Sequence, residues 1–226
     1  LLEEAGAEVL RVPTIKIEPP ESWELLDQAL AQIESFRWVI FTSVNGVESF
    51  RRRLEAVGKD VRALHGVQLA AIGPETAEGL RRWGLRPDVV PDEFVAEGLV
   101  SVLEDRVKPG DRVLLPRAAE ARDLLVKETE RLGALVTDAP AYRTVASKEG
   151  ADRLRRELEA GRVHVVTFTS SSTAKNFADL FSAEERRELF HGVVVASIGP
   201  ITAATAARHG FETDVMPSAY TIPALA

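Results

Sequence analysis

The sequence predicts an α/β protein in which two copies of one parallel-sheet unit follow each other, and three observations carry that reading. Its 226 residues exceed one typical domain and suit two, since domains usually run roughly 100 to 200 residues. Short β-branched runs alternate with helical patterns along the chain, as parallel strands joined by crossover helices require. The third observation is self-similarity. Phe41-Thr42-Ser43 returns as Phe168-Thr169-Ser170, 127 positions later, and Ile72-Gly73-Pro74-Glu75-Thr76-Ala77 returns as Ile198-Gly199-Pro200-Ile201-Thr202-Ala203, 126 positions later. Gly84, Asp88, Val89 and Pro91 recur as Gly210, Asp214, Val215 and Pro217, while Glu3, Gly6 and Pro13 match Glu130, Gly133 and Pro140.

Taken in order, the expected strands are Glu8–Val12, Trp38–Thr42, Gln68–Ile72, Asp88–Val90, Arg112–Leu115, Leu135–Asp138, His164–Thr169, Val193–Ile198 and Asp214–Met216. Each is a short apolar run bounded by turn residues. Between them the apolar spacing turns helical: Trp23, Leu26, Leu30 and Ile33; Val47, Phe50, Leu54 and Val57; Ala174, Phe177 and Phe181. The counterpart of Val113-Leu114-Leu115-Pro116-Arg117 and of the helix through Leu132 would precede residue 1, so most of one strand and helix is expected to be missing. Nine strands and one missing make two five-stranded sheets.

Two proline-flanked extended stretches break the alternation, at residues 14–20 and 140–146, in matching positions of the repeat. They are natural crossings between domains. If both cross, residues 21–139 form one continuous domain and residues 1–13 join 147–226 in the other. Two contiguous halves are the plainer alternative, and repeat arithmetic allows both.

Composition narrows the function. Apolar residues make up 45% and charged residues 28%, enough to bury real cores, and no apolar run approaches the 18 or so residues of a membrane helix. A net charge of -7 argues against a general nucleic-acid binder. The absence of cysteine removes disulfides, thiolate nucleophiles and cysteine-ligated metals. The four histidines are scattered, with no metal-binding spacing. No initiator methionine opens the chain, so a targeting segment is not readable from it.

Ligands of open parallel sheets bind beyond the carboxyl ends of strands. Four turns there are rich in hydroxyls and glycine: Thr42-Ser43-Val44-Asn45-Gly46, Gly73-Pro74-Glu75-Thr76, Thr169-Ser170-Ser171-Ser172-Thr173 and Gly199-Pro200-Ile201-Thr202. Each precedes a helix, whose free N–H groups and dipole attract anions. Taken singly they are ordinary helix caps; four in matched positions point to ligand-facing lips. The candidate contacts are Thr42, Ser43, Asn45, Thr76, Ser170, Ser171 and Thr202, with Arg117 after its strand as a candidate cation for an anionic ligand. Tyr142 is a phenol on a linker. No GxGxxG or GxxxxGK[ST] occurs, so dinucleotides and nucleoside triphosphates are not supported.

The run FTSVNGV, AIGPETA, VLLPR, AYRTV, FTSSSTAKNF, ASIGPITA, in that order, resembles the uroporphyrinogen-III synthase family over essentially the whole chain. The resemblance implies two α/β/α domains, each with a five-stranded parallel sheet, joined by a two-stranded β linker, with the interleaved division of the chain. It also implies the reaction. Hydroxymethylbilane loses its hydroxyl to an azafulvene cation, which attacks ring D to form a spiro intermediate that fragments and recloses with ring D inverted. Tyr142 matches the tyrosine proposed in that family as the acid for hydroxyl departure. No metal or organic cofactor is implied. A cytoplasmic monomer is expected, with a tetrapyrrole as its small-molecule partner and neither nucleic acid nor membrane. The alternative from another class is a non-catalytic two-domain binding protein for a small anion.

Overall fold

The computed structural model describes all 226 residues. In chain order it contains β1 (Ile15–Glu18), α1 (Glu24–Ala31), β2 (Trp38–Phe41), α2 (Val44–Ala56), β3 (Gln68–Ala71), α3 (Pro74–Arg82), α4 (Ala96–Leu103), β4 (Arg112–Ala118), α5 (Leu124–Arg131) and β5 (Leu135–Ala146). There follow α6 (Ala151–Glu159), β6 (Val165–Phe168), α7 (Ser171–Ala178), α8 (Ala183–Leu189), β7 (Val194–Ser197), α9 (Pro200–Arg208) and α10 (Ile222–Leu225). Contacts divide the chain into two compact units: residues 17–144, the middle unit, and residues 1–16 with 145–226, the outer unit.

The middle unit is built on a five-stranded sheet of order β1-β5-β4-β2-β3, in which β5, β4, β2 and β3 pair in parallel. Successive strand residues face opposite ways, and here both faces are covered. Val39, Phe41, Leu69, Ala71 and Leu114 join a core with Leu26 and Leu30 of α1, Phe50 and Leu54 of α2, and Leu80 of α3. On the other face Trp38, Ile40, Ala70, Val113 and Leu115 pack with Leu99 and Leu103 of α4 and Leu125 of α5. That double burial is why these strands read as continuous apolar runs rather than alternating ones.

The outer unit is less complete. β6 and β7 pair in parallel over four residues, and Val215 adds a single bridge to Ala196. Its core is aromatic: Phe177 meets Phe168, Phe181, Phe190 and Phe211 with ring centroids 5.4 to 5.8 Å apart. The two units repeat small devices as well as strands. Asp88 accepts the Leu69 N–H and Asp214 the Val195 N–H, each at 2.8 Å. Gly84 and Gly210, just past α3 and α9, have φ of 84° and 88°, a left-handed conformation that glycine adopts without a Cβ penalty.

Several expected strands differ. The five-stranded sheet expected in the outer unit is not formed, and Glu8–Val12 carries no strand. In the middle unit β4 lies between β2 and β5, whereas no strand takes that place beside β6. Residues 8–12 therefore have no ladder to join, although Leu10 and Val12 still pack on the aromatic core. A cavity of about 260 Å³ opens there, lined by Val9 and Arg11 on one side and Thr167 and Thr169 on the other. Asp88–Val90 and Asp214–Met216 shrink to single bridges at Val89 and Val215. Leu135–Asp138 instead extends to Ala146, because β4 continues past Leu115 to Ala118 and offers a longer partner. No helix is long and apolar enough to cross a membrane.

Candidate functional site

The carboxyl end of the middle sheet gathers several of the predicted residues. The chain leaves β2 through Thr42 and turns at Ser43, whose extended backbone (φ -163°, ψ 158°) caps α2. Ser43 Oγ accepts the Gly46 N–H at 3.0 Å, satisfying one of the donors that a helix start leaves unpaired. Two strands away, Tyr142 pairs with Ala118 at a register shift in the β4–β5 ladder, and its carbonyl accepts the Ala119 N–H at 2.9 Å. Its ring is only 7% exposed, and Tyr142 Oη lies 2.9 Å from Ser43 Oγ. The phenol thus reaches from β5 to the start of α2.

Gly46 makes that reach possible. A Cβ there would stand 2.9 Å from the Pro116 carbonyl oxygen, so a larger residue would push the first turn of α2 off the end of β4. Sequence reading named this glycine only as part of a turn.

On the neighbouring strand, Gly73 is the cap of α3, with Pro74 in its first turn. Thr76 follows in that turn, 3% exposed, and its hydroxyl makes no hydrogen bond within the protein. Thr202 repeats the arrangement at the start of α9, after Gly199 and Pro200, at 5% exposure and again with no protein partner. Neither hydroxyl is an enclosed orphan, a condition met only by Trp38 Nε1 and Arg143 Nε. The Thr76 and Thr202 hydroxyls are therefore reachable polar groups on nearly buried residues in the first turns of α3 and α9. Each glycine is also covered by an exposed ring that sequence reading missed: a Cβ on Gly73 would meet Phe94, and one on Gly199 would meet Tyr220, each at 3.2 Å. The 126-residue offset between Phe94 and Tyr220 was the available signal.

Arg117, expected to contact an anionic ligand, has its guanidinium already engaged within the protein. It is 5% exposed, with Nε and Nη2 donating to the two carboxylate oxygens of Asp138 at 2.6 Å and Nη1 to the Arg122 carbonyl at 2.6 Å. Hydrogen bonding to Asp138 raises its already high pKa, so it stays cationic. The fork ties β4 to β5 and to the loop after β4, and leaves little of the guanidinium for a ligand. Asp138, its partner, was read only as the end of a strand.

The outer unit arranges its hydroxyls differently. Ser170 caps α7 by accepting the Thr173 N–H at 3.1 Å, and its Oγ lies 2.8 Å from Thr173 Oγ1 and 3.1 Å from Ser172 Oγ. Ser171 donates to the Ile201 carbonyl at 3.3 Å, joining the turn after β6 to the turn after β7. Asn45 is exposed and Thr42 half-buried, neither with a side-chain hydrogen bond.

Comparison with known proteins is consistent with this geometry. Residues 1–226 match the family model described as uroporphyrinogen-III synthase HemD. Among curated relatives, the uroporphyrinogen-III synthase of Synechococcus elongatus is 34% identical across 99% of this chain and 86% of its own. A putative uroporphyrinogen-III synthase of Methanothermobacter thermautotrophicus is 37% identical across 98% of this chain and 88% of its own. Solved structures share the fold. Uroporphyrinogen-III synthetase from Helicobacter pylori aligns with a TM-score of 0.59 at 19% identity, covering 94% of this chain and 87% of that one. A mutant synthase from Thermus thermophilus gives 0.56 at 22%, covering 95% and 85%. These matches do not favour a non-catalytic anion receptor. On its full-length match and its close relatives, the chain belongs to the uroporphyrinogen-III synthase family.

Proposed function

We propose that this protein closes hydroxymethylbilane to uroporphyrinogen III with inversion of ring D, acting as a lyase that needs no metal or organic cofactor. The observation that carries the reading is Tyr142, a nearly buried phenol held at the carboxyl end of a parallel sheet by a hydrogen bond to Ser43. Departure of the substrate's hydroxyl requires a proton as its carbon–oxygen bond breaks, and Tyr142 supplies it. Water leaves, and the substituted α-carbon of ring D attacks the resulting azafulvene cation to form a spiro intermediate. The bond from that carbon to its original bridging carbon then breaks. The cation so released is attacked by the free α-carbon of the same ring, which closes the macrocycle with ring D inverted. Loss of a proton from ring carbon at the end of the sequence restores the phenol, so the net change is loss of one water.

The remaining work is shape. A reactive linear tetrapyrrole must be folded so that its ends meet, and positioning of that kind lowers a barrier without strong acids or bases. The substrate's acetate and propionate groups meet N–H-rich turns. Thr42, Asn45 and Thr76 serve in the middle unit, and Ser170, Ser171 and Thr202 in the outer one. The unpartnered hydroxyls of Thr76 and Thr202 support this assignment. Arg117 acts as the support of the β4–β5 end that carries Tyr142. β1 and β5, adjacent in the sheet, form the two-stranded linker between two α/β/α domains.

The test is direct. Purified protein is incubated with enzymatically generated hydroxymethylbilane and the oxidised products are separated by isomer. Type III product above the spontaneous type I background is the expected result. Type I alone, at the rate seen without protein, overturns the reading.

A further inference from the structure

Two groups compete for the Ser43 hydroxyl. Its oxygen accepts the Gly46 N–H at 3.0 Å and lies 2.9 Å from Tyr142 Oη. A serine hydroxyl has one hydrogen and two lone pairs. With one lone pair engaged by Gly46, either Ser43 donates to the phenol or the phenol donates to Ser43. The helix start decides between them. The Gly46 N–H belongs to the first turn of α2, where unpaired N–H groups and the dipole place partial positive charge. That polarisation makes the Ser43 hydroxyl a better donor and a poorer second acceptor.

We propose that Ser43 donates to Tyr142 and so acts as a positioning residue for the proton donor, rather than as the substrate contact that its place in the turn indicates. The inference rests on the reading of Tyr142 as the acid. With its oxygen occupied by Ser43, the phenol turns its own hydrogen outward toward the leaving hydroxyl. When that proton departs, the N–H to Oγ–H to Oη chain is already aimed at the phenolate.

The duplication provides an internal comparison. At the matching positions of the outer unit, Thr173 stands in place of Gly46 and Ile15 in place of Tyr142. There the Ser170 hydroxyl caps its helix and bonds to Thr173 and Ser172. The cap occurs in both copies and the phenol in one. Ser43 therefore carries a contact that capping alone does not need.

The experiment is a double-mutant cycle on the full chain, with rates from the type III product assay and folding followed by thermal melting. Tyr142→Phe is expected to lower kcat about 100-fold or more, the range of a positioned acid. Ser43→Ala is expected to lower kcat about tenfold, the upper worth of one neutral hydrogen bond, with KM unchanged. The double variant should match Tyr142→Phe alone, since Ser43 acts only through the phenol. Ser43→Thr should restore most of the rate. Ser43→Asp, which keeps a strong cap but can only accept, should fold and yet lose at least as much as Ser43→Ala. If the two single losses multiply in the double variant, or if Ser43→Asp keeps the native kcat, the positioning role is overturned while Tyr142 stands as the acid. If Tyr142→Phe is itself near native, the reading of Tyr142 falls and this inference with it.

Discussion

Tyr142 stands on β5 and Thr76 and Thr202 in the first turns of α3 and α9, and the chemistry of their hydroxyls ranks them. Tyr142 can transfer a proton to a leaving oxygen, and positioned acids contribute about 10²- to 10⁴-fold. Thr76 and Thr202 lend one neutral hydrogen bond each, about 0.5 to 1.5 kcal/mol or roughly two- to tenfold. Initial rates of type III product should therefore fall most for Tyr142→Phe and by only that smaller factor for Thr76→Val and Thr202→Val. The valine changes keep side-chain volume, so the ranking reads polarity and not packing. Equal losses in all three would remove the distinction between acid and orienting groups.

Between elements, ion pairs do the tying. Arg117 joins β4 to β5 through Asp138, whose own side chain is 40% exposed. Removing the carboxylate by Asp138→Ala leaves a buried guanidinium without its partner and should cost about 1 to 3 kcal/mol in urea unfolding. A change below experimental error would show that the Arg122 carbonyl and Asp123, whose Oδ1 lies 3.5 Å from Arg117 Nη2, suffice. A second tie runs from α1 to α2. Arg53 Nε donates to Asp27 at 2.6 Å while its guanidinium lies 4.8 Å over the Trp23 ring. The hydrogen bond from Arg53 holds the Asp27 carboxyl below its ordinary range. Its stabilising contribution is thus present above the unfolded value, about 3.9, and is lost as pH falls through the lower folded value. The pair is partly exposed, so Asp27→Asn should cost less than about 1 kcal/mol at neutral pH. The gap between variant and native stability should close on acidification below about pH 4. A gap that widens in acid would contradict the sign.

At the scale of the molecule, each core lies wholly inside one unit. Both apolar clusters of the five-stranded sheet use residues between Trp23 and Tyr142, and the aromatic cluster uses residues 10–12 and 151–211. Burial of this kind supplies most of a domain's stability, so residues 17–144 expressed alone should unfold in one cooperative transition. A non-cooperative melt of that fragment would show that the middle unit depends on the rest of the chain.

Periodicity and duplication were sufficient for the strand–helix alternation and the matched turns, because those depend on local spacing and residue order, and the run of motifs carried the resemblance to the family. They also placed Thr76 and Thr202 in turns beyond strand ends and Tyr142 on a linker. What pairs with what needed the fold. Glu8–Val12 has a strand's apolar pattern and no strand, since a ladder requires a neighbour's hydrogen bonds. Arg117 reads as a free cation until β5 brings Asp138 beside it, 21 residues on in the chain. Ser43 and Tyr142 are 99 residues apart, and nothing local to either announces the other. The sequence by itself determined which residue types stand at each strand end. Only the tertiary structure decided which of their hydrogen-bonding groups are already engaged, because donors and acceptors are matched by distance in space and not by separation along the chain.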